Sequence, residues 1–268
     1  PGSRAARRPA PRADRVSDPT ALSAGSPEVS PELELLRRCV RVNPDPEEIR
    51  ALAGSGLDWS RLGRAAQEHG VLPALFPALE RTCPELVPAK TLGRLRDRFH
   101  ANIASNLLLT RELLRIVDVL AAGGVEAVPF KGPVLARIYA DPDTRQLGDL
   151  DLLVRERDAL RARALLVAAG FDAFPQVTPA QERAFLKSEC ELWFNDPRDV
   201  VSVEIHWAIR EPAYCFPFDP SRLWSGLQLI ELQGRAVPTF GPEDLLLILA
   251  AHGAKHRWDS LKLVCDVA

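Results

Sequence analysis

The chain has 268 residues, of which 46% are hydrophobic and 26% charged, and its formal net charge is −2. That composition suits a globular chain of one large domain or two small ones with a sizeable buried core. It supplies no global basic field of the kind that draws a protein to a large nucleic acid, and no apolar run reaches the roughly 18–20 residues that a membrane span needs.

Residues 1–31 are rich in Pro, Ser, Arg and Ala and read as a disordered leader, because such residues bury too little surface to offset ordering entropy. They lack the apolar stretch of a signal peptide. A helical region is expected over 32–122. Leu33, Leu35, Leu36 and Cys39 fit one helix face. A second helix follows Asp45-Pro46, and Asp58 caps a third that ends at Gly70. VLPALFPALE is a short apolar helix or turn. A long helix covers Thr91 to Ala122, with Leu107, Leu108, Leu114, Val117 and Leu120 among its apolar positions, and stops at Gly123-Gly124.

The period then changes, and a mixed core is expected over 123–240. VEAVPF (125–130) is a short buried strand, Lys131-Gly132-Pro133 a turn, and VLARIYA a brief helix. LGDLDLLV (147–154) alternates as a strand does, and the segment after it is a helix ended by Gly170. CELWFN (190–195) and VVSVEIHWAI (200–209) flank Asp196-Pro197-Arg198-Asp199 as a hairpin. LQLIEL and RAVPTF, on either side of Gly234, form another. Over 241–268, Gly241-Pro242-Glu243-Asp244 opens a helix and a last one begins near Asp259. The order is α+β, a mixed sheet flanked by helices at both ends. The chain has no Met, and its apolar helical pattern runs to the last residue, which points to a fragment. The five cysteines contain no CxxC pair and read as reduced core thiols of a cytoplasmic protein.

The strongest chemical signal is Gly148-Asp149-Leu150-Asp151-Leu152. Residues two apart on a strand share a face, so Asp149 and Asp151 present two carboxylates side by side while Leu150, Leu152 and Val154 face a core. Two like charges that close call for a cation, and a hard dication such as Mg²⁺ (or Mn²⁺) suits carboxylate oxygens. In Val203-Glu204-Ile205-His206-Trp207, Glu204 and His206 share a face. If that strand lies beside 147–154, Glu204 completes a three-carboxylate metal site able to support in-line displacement at phosphorus. Gly132, between a strand and a short helix, permits close backbone approach to a phosphate, and Lys131 and Arg145 are candidate phosphate contacts.

These residues resemble a known family. Phe130-Lys131-Gly132, Leu135, Tyr139, Arg145, Gly148 to Val154, Gly170-Phe171, Val203 to Trp207, and Ala251-His252 with His256 and Trp258 are similar to the bacterial family of uncharacterised nucleotidyltransferases. Asp58-Trp59, Leu62, Ala65, His69 and Val71 fit its helical N-terminal part, so the likeness covers about 33–268. The resemblance implies a core of the DNA polymerase β superfamily and transfer of a nucleoside monophosphate from an NTP to an acceptor. It assigns Asp149, Asp151 and Glu204 to catalysis and metal binding, and Gly132 to the phosphate loop. The chain departs from the superfamily pattern in having Lys131-Gly132-Pro133 where Gly-Ser or Gly-Gly is usual, and in a longer stretch before Asp149.

His206, His252 and Lys255 are further candidates for nucleotide contact, and His252 and His256 share a helix face without the glutamate of a zinc-protease motif. The expected substrate is ATP or another NTP. The acceptor is a small molecule, sugar, peptide or protein, with no membrane involved. A catalytically degenerate binding or scaffold protein is the alternative, and a metal-dependent hydrolase built on His252 and His256 is a third class.

Overall fold

The computed structural model describes residues 29–176, 178, 180–198, 200–209 and 219–268. The leader expected over 1–31 lies almost wholly outside the described residues, as do Asp199 of the expected hairpin turn and Cys215.

Four helices come first: α1 (Pro31–Cys39), α2 (Pro46–Ala53), α3 (Trp59–Glu68) and α4 (Leu72–Thr82). Asp45 accepts a hydrogen bond from the Glu47 amide, and Asp58 accepts from those of Ser60 and Arg61, so both helices start where an Asx side chain satisfies free N–H groups. VLPALFPALE is thus a helix rather than a turn, despite Pro77 inside it. Leu35, Leu36, Ile49, Leu62, Leu75 and Leu79 close into one apolar cluster. The 34-residue α5 (Ala89–Ala122) lends Leu95 to that cluster. Its later turns give Leu109, Leu113, Ile116 and Leu120 to the next one. Leu107 and Leu108, read as apolar positions of this helix, face solvent.

The second half alternates strands and short helices. They are β1 (Ala127–Pro129), α6 (Pro133–Ala136), β2 (Asp149–Val154), α7 (Ala159–Ala168), β3 (Asp172–Phe174), α8 (Glu182–Ser188), β4 (Glu191–Asn195) and β5 (Ser202–His206). After them come α9 (Pro220–Ser225), β6 (Leu227–Leu232), β7 (Arg235–Phe240), α10 (Pro242–Lys255) and α11 (Leu261–Cys265). Five strands form a mixed sheet in the order β1-β2-β5-β4-β3, and β6 pairs with β7 in a separate hairpin. The strand at β2 pairs antiparallel with β1 and parallel with β5. The expected α+β class with a mixed sheet is what forms.

One face of the sheet is apolar throughout. Leu150, Leu152, Val154, Val203, Ile205, Leu192 and Phe194 pack with side chains of α5 and α7, and each fully buried Leu or Val is worth about 1.5–3 kcal/mol. On the other face, Val128 and Leu153 join Phe130, Phe240, Leu245, Ile248 and Leu249, which seats α10 over the β1–β2 side. Asp149, Asp151 and Glu204 have the side-chain parity of that second face. No helix among the described residues is long and apolar enough to cross a membrane.

Candidate active site

The parallel pairing of β2 with β5 sets Asp151 opposite Glu204, with Asp149 two residues earlier on the same face. This adjacency is the condition on which the three-carboxylate expectation rests. Asp151 is 1% exposed, and its Oδ1 accepts a hydrogen bond from the Lys131 ammonium at 2.7 Å. His206 Nε2 lies 3.3 Å from Asp151 Oδ1 and 3.3 Å from Glu204 Oε2. On the other side of the ring, Nδ1 is 3.2 Å from Glu191 Oε2. Glu191 stands opposite His206 in the β4–β5 register and was not singled out in the sequence. It lies within the expected strand CELWFN but carries no motif, so only the pairing shows that it belongs to the site.

Gly132 has φ +56° and ψ −127°. A Cβ there would sit 3.0 Å from the Asp149 carbonyl oxygen. The loop therefore passes against the start of β2 with no side chain between, and Lys131 reaches Asp151 from that turn. Pro133 begins α6 directly afterwards.

The electrostatics are those of crowded acids. Burial, then the charges of Asp151 and Glu204, push the Asp149 carboxyl up to about 6, against the pull of Lys131 and Lys262. Burial alone would raise Asp151 as well. Lys131 and the hydrogen-bonded His206 overcome it and hold that carboxyl well below the usual range. Burial works against the His206 imidazolium, but hydrogen bonds to Asp151, Cys190 and Glu204 raise it well above an ordinary histidine.

A wall of nitrogen groups faces these acids. His252 near the end of α10 is pushed down to about 3 by burial, by Lys131 and by His256. The His252 and His256 rings stand 4.6 Å apart. Among the described residues they are not joined by a third ligand into a metal group, which leaves the hydrolase reading without support. Lys255 is exposed beside them. Lys262 of α11, also missed in the sequence, is half-buried and feels the charges of Asp149 and Asp151. It makes no ion pair within 4.0 Å among the described residues.

Arg145, expected as a phosphate contact, is held in an ion pair. It is 5% exposed, and its guanidinium grips Asp266 through Nε at 2.8 Å and Nη2 at 3.0 Å. Nη1 donates to the Gly132 carbonyl at 3.4 Å, so Arg145 braces the loop from behind.

The donor chemistry fits a dication. Asp151, Glu204 and His206 offer ligand atoms within 4.8 Å of one another. Asp151 Oδ2 is buried with no hydrogen-bond partner, and an orphaned carboxylate oxygen among further acids is costly unless a cation balances it. Such a cluster, with cations across from it, can hold a metal ion and a polyphosphate together.

A family model described as uncharacterised nucleotidyltransferase matches residues 55–268, which takes in α3 to α11 and every site residue named above. The match begins later than the expected likeness from about 33, leaving α1 and α2 before it. No curated protein and no solved structure matches the chain.

Proposed function

We propose that this chain, which belongs to the uncharacterised nucleotidyltransferase family, transfers a nucleoside monophosphate from an NTP, ATP foremost, to a hydroxyl-bearing acceptor on a polymerase-β-type core. The observation that carries the reading is the parallel β2–β5 pairing. It brings Glu204 against Asp151 on the face that also holds Asp149. A divalent ion, Mg²⁺ or Mn²⁺, held by Asp149, Asp151 and Glu204 would neutralise phosphate charge and ease deprotonation of the acceptor.

The protein's own groups divide the remaining work. Lys131, beside the open backbone of Gly132, and Lys262, across from Asp149, bind the triphosphate oxygens as point charges. His252 and Lys255 line the same approach. The burial and the nearby cations that keep His252 neutral leave it able to donate one hydrogen bond without adding charge. Asp151 is wholly enclosed, whereas the Glu204 side chain is 23% exposed and can meet an entering acceptor. In the transfer, the acceptor oxygen bonds to the α-phosphorus, the bond to the bridging oxygen breaks, and pyrophosphate leaves. The hydroxyl proton passes to Glu204.

The test is thermal stabilisation by each NTP with Mg²⁺ or Mn²⁺, because a ligand bound only by the folded state raises the melting temperature by mass action. A metal-dependent rise is expected in the wild type and its loss in Asp149→Asn plus Asp151→Asn. A folded wild type that no NTP stabilises at millimolar concentration overturns the reading in favour of a degenerate scaffold.

A further inference from the structure

We propose that His206 is itself a metal ligand, so that the site selects a transition-metal dication of the Mn²⁺ type over Mg²⁺. The inference rests on the metal-dependent reading above and narrows it to one ion class.

Three observations converge on Nε2 of His206. First, it lies 3.3 Å from Asp151 Oδ1 and 3.3 Å from Glu204 Oε2. Neighbouring donors around a six-coordinate ion with bonds of about 2.1 Å stand about 3 Å apart, so Nε2 is spaced from each oxygen as an adjacent ligand of one ion would be. Second, the other ring nitrogen, Nδ1, is 3.2 Å from Glu191 Oε2. A carboxylate there takes the Nδ1 hydrogen, so a dication that displaces the Nε2 proton would meet a lone pair aimed between Asp151 and Glu204, the arrangement that orients a metal-bound histidine. Third, Asp151 is 1% exposed and its Oδ2 has no partner. A dication bound to Asp151 would give that oxygen the partner it lacks.

The ring is also held in place. His206 is 5% exposed and packs on the Phe130 ring at 5.2 Å in an edge arrangement. A ligand fixed on both sides costs little ordering entropy when the ion arrives. Lys131 contacts the same Asp151 oxygen as Nε2, so its ammonium balances the acid until the ion competes for it. An oxygen-only set suits Mg²⁺, whereas adding imidazole nitrogen favours Mn²⁺ and the later first-row dications.

The experiment uses the full chain, stripped of metal by a chelator and free of nucleotide, with Mn²⁺ as probe. Electron spin echo spectroscopy reads nitrogen coupling to bound Mn²⁺, and competition titration compares its affinity with that for Mg²⁺. The expected result is ¹⁴N modulation in the wild type and binding of Mn²⁺ at least about tenfold tighter than Mg²⁺. His206→Asn is expected to lose the modulation and most of that preference. A His252→Ala, His256→Ala double variant is expected to keep the modulation, which assigns the nitrogen. Bound Mn²⁺ without nitrogen coupling in the wild type, or coupling that survives His206→Asn, overturns the proposal. The first of these, with NTP stabilisation intact, removes only the role of His206. Failure of the wild type to bind Mn²⁺ or any NTP removes the nucleotidyltransferase reading with it. Since the decisive spectrum is that of the wild type, a variant that does not fold leaves the proposal testable.

Discussion

At Gly132 the backbone takes φ +56° and ψ −127°, and a Cβ would press to 3.0 Å on the Asp149 carbonyl oxygen. Gly132→Ala is therefore expected to cost about 1–3 kcal/mol, read as a lower urea midpoint at unchanged slope, and to weaken metal–NTP stabilisation because Lys131 hangs on the same turn. His252 gives a pH signature. Its folded-state value is pushed to about 3 from 6.5, by burial first and then by Lys131. Below 6.5 the unfolded chain takes up a proton that the folded chain refuses, so stability falls as pH drops through that window. The loss attributable to this group is about 2 kcal/mol by pH 5. Denaturation of His252→Asn between pH 7.5 and 5 is expected to show a correspondingly flatter profile; an equal slope removes the assignment. At this scale the acids were legible in the sequence because alternation alone puts Asp149 with Asp151 and Glu204 with His206. Glu191 was not, since only the exact register of the hairpin sets it against His206, and Lys262 was not, since it arrives by packing of a segment far along the chain.

The hairpin of β4 and β5 depends on Asp196, which is 7% exposed. Its Oδ1 accepts from the Val200 amide at 2.6 Å and the Val201 amide at 2.9 Å. Those bonds close the turn and fix a register in which Glu191 meets His206 and Trp193 meets Glu204. A slip of one residue would turn Glu204 and His206 into the apolar core. Asp196→Ala strands two amides and is expected to cost about 1–3 kcal/mol in thermal or urea unfolding, with Asp196→Asn retaining more, since its side-chain oxygen can still accept. This hairpin, the long α5 and the β2 strand could be read from period and turn residues, because each is long enough to show its repeat. The three-residue β3 shows no alternation, and polar α8 shows no apolar stripe, so neither was expected. Their places come from tertiary contact, β3 by pairing along β4. The expected strand over 125–130 shortens to Ala127–Pro129, the residues that pair with β2.

Across the whole of Pro31–Ala268, the last helix completes the site by docking far from its neighbours in sequence. The Leu261 amide donates to His69 Nδ1 at 3.3 Å and the Lys262 amide to the His69 carbonyl at 3.1 Å. From there α11 carries Asp266 back to Arg145 and to the Tyr139 hydroxyl. The Arg145 carbonyl in turn accepts from Asn102 and Asn106 of α5. One buried ion pair thus ties α5, the Gly132 loop and α11 together behind the carboxylates. Removing one partner of such a pair leaves a buried charge uncompensated, so Asp266→Ala is expected to cost about 3–5 kcal/mol in urea unfolding. Arg145→Met, Asp266→Leu together are expected to recover much of that, because the pair is then replaced by apolar packing. Burial alone would raise Asp266, but Arg145 outweighs it and holds the carboxyl below its ordinary value. A depressed carboxylate stabilises fully above its unfolded value and loses that stability as pH falls toward the folded one. The gap between wild type and Asp266→Ala is therefore expected to be constant near neutrality and to narrow below about pH 4. A gap that stays constant into that acid range would mean that α11 is held by packing alone. Lys262 lies on the short helix that ends at Asp266, so the restored double variant also shows whether docking or charge places it: packing alone would preserve NTP stabilisation, and its loss would assign the placement to the ion pair.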